Sequence, residues 1–185
     1  RSDIDVCIVF NDNSKNWGRG NVQKGMFLFE YAFYTLTGLK NMQAQDLIRR
    51  KRLRTRMLAV GKVLFDKHGV LSRLKAEAIE KLREPMPPVS EFDLEVRKYN
   101  LWDQLDNLKS LESKESSGYL YAYFAALQDI IETYALYLRV EIPRPGRMQR
   151  FIDDPDFRQK YAIQDFPDPI FAEQFSRAMA EPSTT

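Results

Sequence analysis

Ser2-Asp3-Ile4-Asp5-Val6-Cys7-Ile8-Val9-Phe10 is the stretch on which the fold turns. Side chains two apart on a strand share a face and sit about 7 Å apart, so Asp3 and Asp5 project together. From Val6 onward both faces carry apolar residues, which predicts a strand over residues 5–10 buried on both sides beyond its entry. A polar loop is expected over residues 11–24, with Gly18 and Gly20 and an Asn-Asp-Asn-Ser cluster. Residues 25–34, rich in Phe and Tyr, read as a second strand. Glu30 is its one acidic residue and shares a face with Met26, Leu28 and Ala32.

Two carboxylates at the mouth of an apolar strand repel each other, and burying them unpartnered is costly. A hard divalent cation resolves this, because Mg²⁺ prefers oxygen ligands and keeps positions open for phosphate. Glu30, on a neighbouring strand, is the natural third ligand beside Asp3 and Asp5. The plainer account is that Asp3 and Asp5 are solvated residues at a strand entry. A bare Asp-x-Asp is common; the apolar run behind it and the internal Glu on the next strand favour the metal reading.

Beyond the second strand the pattern turns helical over residues 42–59. Lys62 to Phe65 reads as a short strand closed by the turn Asp66-Lys67-His68-Gly69, and an amphipathic helix is expected over residues 71–83. Pro85, Pro87 and Pro88 break that helix and mark a boundary between an α/β domain, 1–84, and a helical bundle, 89–185. Ser90 is a good N-cap, with Glu91 and Asp93 in a first turn where the helix dipole favours them. That helix should run to about Leu111. The next, over residues 119–140, carries Leu120, Phe124, Leu127, Ile131, Tyr134 and Leu138 at helical spacing, with Tyr123, Ile130 and Tyr137 beside them, as in a central bundle helix. Pro143 and Pro145 end it. Two shorter helices follow, punctuated by Asp154-Pro155 and Pro167-Asp168-Pro169. The predicted class is α+β: a mixed sheet with flanking helices, followed by a helical bundle.

Composition agrees with a globular chain: 185 residues, 44% hydrophobic and 29% charged. The net charge of +2 creates no global field for nucleic acid, which is not an expected partner. The single cysteine excludes an internal disulfide framework and a cysteine-built zinc site. No apolar stretch is long enough to span a bilayer. The opening Arg-Ser-Asp does not read as a signal peptide. The expected setting is therefore the cytoplasm.

Ser2 to Phe10 resembles the Asp-x-Asp strand of the DNA polymerase beta-type nucleotidyltransferase superfamily. Gly61-Lys62-Val63-Leu64-Phe65-Asp66 with Gly69, and the helix after it, resembles the end of the catalytic domain in small bacterial members. The helical remainder is similar to the bundle of the kanamycin-nucleotidyltransferase-like branch. The resemblance implies transfer of a nucleoside monophosphate from a nucleoside triphosphate to a hydroxyl of a small-molecule or protein acceptor. It implies Mg²⁺ or Mn²⁺ held by Asp3, Asp5 and Glu30. The family places a Gly-Ser turn, which holds the triphosphate, several residues before the Asp-x-Asp. This sequence has no such pair there, and Ser2 lies on the strand itself. The chain as it stands is expected to bind a triphosphate poorly. The alternative is a catalytically degenerate relative serving as an antitoxin-like module or as one half of a homodimer.

Other residues invite weaker readings. The run Arg49, Arg50, Lys51, Arg52, Arg54, Arg56 is the densest basic cluster. Arg49 and Arg52 could reach a phosphate, as could Ser2, but a solvated helix with Asp46 as a local partner explains the run as well. Asp103 and Asp106 share a helical face with Tyr99 and Asn107. They could receive a cationic acceptor or supply a base, or form only a polar flank near Arg97 and Lys98. Asp129 and Glu132 are further base candidates. His68 reads as a surface turn residue, and the aromatic residues of 119–137 read as core.

Overall fold

A computed structural model describes residues 3–12, 18–113, 117–142 and 144–182. The fold is α+β, with a mixed three-stranded sheet followed by helices. The described chain divides into two compact units, 1–55 and 56–185.

In the first unit β1 spans Ile4–Phe10, β2 Gly18–Lys24 and β3 Phe27–Thr35, in the order β1-β3-β2. β3 pairs parallel with β1 and antiparallel with β2. The expected adjacency of the first and second predicted strands is therefore present. The expected loop over 11–24, however, contains β2. Arg19, Asn21 and Gln23 alternate there with Gly20 and Val22, but no apolar stripe advertises the alternation. Gly25 and Met26 form a two-residue hairpin turn, with Gly25 at φ 61°. A glycine with positive φ at the first central position matches the right-handed twist of a hairpin.

Cross-strand pairing sorts the sheet into two faces. One carries Asp5, Cys7 and Val9 of β1, Glu30 and Ala32 of β3, and Arg19 and Asn21 of β2. The other carries Ile4, Val6, Ile8 and Phe10 with Phe27, Phe29, Tyr31 and Phe33. Phe33 and Tyr31 lie over Gly18 and Gly20, where a Cβ would stand 2.5 Å from a ring atom and from the phenol oxygen respectively. This fills the hollow an edge-strand glycine leaves. Ile4, Ile8, Phe10 and Phe27 remain exposed, correcting the expectation that β1 is buried on both faces. The exposed residues all stand on the same face of the sheet, which is therefore only partly covered.

α1 (Leu36–Ile48) starts directly where β3 ends. Thr35 caps it by accepting from Gly38 N at 3.0 Å, and Asp12 accepts from Thr37 N and Thr37 Oγ1, both at 2.8 Å. The predicted single helix over 42–59 is two helices, α1 and α2 (Leu53–Val60), broken at Arg50, whose φ is 58°. Asp46 spans the break: its carboxylate accepts from Arg54 N at 2.9 Å and from Arg54 Nη1 at 2.7 Å. Beside it Gln43 donates to Thr55 across a buried 3.2 Å bond.

In the second unit Lys62–Asp66 is not a strand. It has no ladder partner among the described residues, and Leu64 and Phe65 stay exposed. Its ends are tied locally: Lys75 Nζ donates to Gly61 O, and Asp66 accepts from Ser72 N at 2.8 Å ahead of α3 (Val70–Arg83). The proline segment expected as a domain boundary lies inside this unit. There Met86 is 1% exposed and exchanges backbone and guanidinium bonds with Arg139.

α4 (Glu91–Ser113) begins at Ser90, whose Oγ accepts from Asp93 N at 3.0 Å. α5 (Tyr119–Leu138) ends earlier than expected, at Arg139 in a left-handed conformation, and not at the prolines. Where two shorter helices are expected, three follow a single turn at Pro145–Arg147: α6 (Met148–Asp153), α7 (Pro155–Lys160) and α8 (Pro169–Ala180). Asp154 and Asp168 are both N-caps ahead of a proline at the first helical position. That is why the Asp-Pro pairs punctuate the sequence. The core gathers Leu108 of α4, Tyr123, Ala126, Leu127 and Ile131 of α5, Met148 of α6 and Phe175 of α8. The α5 aromatics are only partly core: Tyr123 is buried and Tyr134 half-buried, whereas Tyr121, Phe124 and Tyr137 are exposed. Among the described residues, no helix is long and apolar enough to cross a membrane.

Candidate functional site

The strand register places two of the three predicted carboxylates side by side. Asp5 stands opposite Glu30 on the neighbouring parallel strand, so the two side chains leave the same face side by side. Asp3 precedes β1 by one residue and keeps the same parity. Asp3 and Asp5 are exposed and Glu30 is half-buried. Behind them on this face Cys7 is half-buried, and burial pushes its thiol up to about 11. A thiol so raised stays protonated and inert at neutral pH.

The third carboxylate is engaged by a residue that the sequence pattern alone places in a loop. Arg19 of β2 donates to Glu30 Oε2 at 3.4 Å from the diagonal position across the strand pair. The Arg19 side chain is 76% exposed, so water screens this pair and its strength is small. Asn21 stands directly opposite Glu30 and completes a polar row, Asp5–Glu30–Asn21, across all three strands. Among the described residues no group of three His, Cys, Asp or Glu is arranged to hold a metal ion. Asp5 and Glu30 are neighbours, but as placed the three carboxylates are not a finished ligand set.

The remaining candidates disperse. Ser2 lies outside the described residues. Arg52 is 7% exposed and does not face solvent, which removes it as a ready phosphate contact. Arg49 is exposed at the C-cap of α1. Arg54 is committed to Asp46. Arg56 donates to Tyr161 O and Ala162 O at 2.9 and 3.0 Å, and pairs with Glu141. The basic run is thus largely structural, neither a free phosphate comb nor a fully solvated helix. Asp103 and Asp106 are exposed on α4, with Asn107 donating to Asp103 at 3.4 Å and Lys109 3.9 Å from Asp106. Asp129 accepts from Gln104 at 2.7 Å between α4 and α5, and Glu132 accepts from Gln128 at 2.9 Å within α5. His68 is exposed in its turn, as expected.

The sequence holds one weak signal for Arg19 and Asn21. Gly25-Met26 before an aromatic strand is a hairpin signal, and a hairpin requires a strand ahead of it.

No protein-family model and no curated protein matches the chain. The chain is similar to the solved structure of a nucleotidyltransferase-like protein from Exiguobacterium sibiricum, at 13% identity and a TM-score of 0.40. The match covers 93% of this chain and 61% of that one, so the chain spans about three-fifths of the neighbour's length. At that level of likeness, a functional reading has to rest on the residues of this chain.

Proposed function

We propose that the polar face of the sheet is the carboxylate wall of a nucleotidyl-transfer site, with Asp3, Asp5 and Glu30 as its acidic residues. The observation that carries this reading is the register of Asp5 against Glu30 on adjacent parallel strands, at the exposed end of an otherwise apolar β1. The resemblance of residues 2–10 to the polymerase beta-type strand supplies the reaction class, and the resemblance of the helical remainder suggests the kanamycin-nucleotidyltransferase-like branch. The substrates would be a nucleoside triphosphate and a small-molecule or protein hydroxyl. Asp3, Asp5 and Glu30 would hold Mg²⁺ or Mn²⁺, which supplies charge stabilisation to a displacement at phosphorus. The chain's own part is positioning: the sheet fixes Asp5 and Glu30 rigidly, and Arg19 must swing away from Glu30 to free its second oxygen. An exposed 3.4 Å pair offers little resistance to that.

The test is nucleoside triphosphate consumption by the full-length protein with Mg²⁺ or Mn²⁺, paired with Mn²⁺ binding read by electron paramagnetic resonance. Asp5→Asn should abolish both while leaving the circular dichroism unchanged. Turnover that survives Asp5→Asn sinks the reading.

A second reading has its own support. Glu30 is occupied by Arg19, and α4 exposes Phe92, Tyr99 and Trp102. Both features suit a degenerate relative acting through its helices, for which neither turnover nor Mn²⁺ binding is expected.

A further inference from the structure

α4 is apolar along two opposite lines. Leu94, Leu101 and Leu108, at steps of seven, are half-buried or buried and face the packed side of the second unit, where Gln104 bonds Asp129 of α5. On the other side Phe92, Val96, Tyr99, Asp103 and Asp106 succeed one another at steps of four, three, four and three, which is one line along a helix. Trp102 stands beside that line, three residues on from Tyr99. Phe92 is 75% exposed, and Tyr99 and Trp102 are both 69% exposed. Solvated aromatic groups clustered on one helix face are unusual for a surface that meets only water. Trp and Tyr are also the residues that most often dominate binding energy.

The charges on this line choose the partner. Glu91, Glu95, Asp103 and Asp106 lie on or beside it. Lys98 and Lys109 sit at one margin and pair with Glu95 and Asp106, so the face keeps a net negative charge through Glu91 and Asp103. Anionic lipid and nucleic acid would be repelled. A second copy docked antiparallel about Tyr99 would set Glu95 against Asp103 of the other chain, because each lies four residues from the centre. Like charges facing each other across an interface disfavour that pairing. A cationic segment suits both features: its guanidinium or ammonium groups meet carboxylates and aromatic faces, and its apolar side covers Phe92 and Val96.

We propose that the outer face of α4 is a docking surface for a basic amphipathic helix of a partner protein. The proposal deepens the interaction reading above but does not depend on whether the carboxylate wall is catalytic. The net charge of +2 matters here: the chain as a whole does not attract cations, so selective binding of one would have to be local.

The experiment uses the full chain and a fluorescently labelled model helix with leucines on one side and arginines and lysines on the other. Its control carries glutamates in place of the basic residues. Fluorescence anisotropy should show binding of the basic helix only, weakening as salt rises. Tyr99→Ala with Trp102→Ala should weaken it at least tenfold. Asp103→Lys with Asp106→Lys should do the same and turn preference toward the acidic helix. Glu77→Lys with Glu80→Lys, on the exposed side of α3, should leave it unchanged. Circular dichroism of each variant separates lost binding from lost folding. Equal binding of both helices, or indifference to the Tyr99 and Trp102 substitutions, overturns the proposal. So does adsorption to phosphatidylserine vesicles that those substitutions remove. Dimerisation by sedimentation that the same substitutions abolish assigns the face to a second copy and overturns it as well.

Discussion

Asp46→Ala removes one carboxylate that does two jobs at the break between α1 and α2. Asp46 is 4% exposed. One oxygen accepts from Arg54 N in the first turn of α2, and the other from the Arg54 guanidinium. The backbone bond acts as a helix cap supplied from upstream, and losing a cap costs about 1 kcal/mol. A hydrogen bond between charged groups contributes about 1.5–3 kcal/mol. The lower end applies here because the Arg54 side chain keeps 22% of its exposure and is partly screened. Asp46→Ala should therefore destabilise the first unit by about 2.5–3 kcal/mol. Asp46→Asn, which keeps an acceptor for Arg54 N but loses the charge, should cost about 1–2 kcal/mol. Urea unfolding by far-ultraviolet circular dichroism gives the free energies. A double-mutant cycle with Arg54→Ala should return a coupling of about 1–1.5 kcal/mol. Hydrogen exchange over residues 46–55 should accelerate, which places the effect at the helix break. A coupling near zero, or an Asp46→Ala cost within 0.5 kcal/mol of none, refutes the reasoning.

Three further outcomes follow from the same geometry. Gly18→Ala puts a Cβ 2.5 Å from Phe33 Cζ and should cost about 1–3 kcal/mol in thermal unfolding, whereas Gly146→Ala, with nothing within 4 Å, should be nearly silent. Cys7 should react slowly with a disulfide reagent at pH 8: a thiol at about 11 is about 0.1% thiolate there, against roughly a quarter for a free cysteine, and urea should release the full rate. Asp12, Asp66, Asp154 and Asp168 sit below the usual carboxylate range, held first by the backbone N–H groups of Thr37, Ser72, Phe157 and Phe171. Because the folded values are lowered, this stabilisation is fully present above the unfolded carboxylate range and is lost as pH falls through the folded values. Stability should drop below about pH 4, and Asp168→Asn should flatten that acid limb; an unchanged limb would count against the assignment.

The local chemistry of the sequence determined those elements whose signals need no distant partner. β1 was legible in Ile4 to Phe10. The start of α4 was legible in Ser90, and the α6–α7 and α7–α8 breaks in their Asp-Pro pairs, because a cap acts within three residues. The parity of Asp3 and Asp5 was legible too, since a strand repeats every second residue. Pairing could not be read that way. Arg19-Gly20-Asn21-Val22 becomes a strand only because β3 accepts it, and Lys62 to Phe65, with a better strand sequence, remains unpaired coil. The basic run over residues 49–56 looked like one surface feature, yet tertiary contacts put Arg52 inside, committed Arg54 to Asp46 and committed Arg56 to carbonyls about a hundred residues away. The carboxylates of Asp3 and Asp5 were visible from the start; that Asp5 faces Glu30, and that Arg19 reaches Glu30 first, were decided by register, because hydrogen-bond ladders between strands depend on residues the local pattern does not contain.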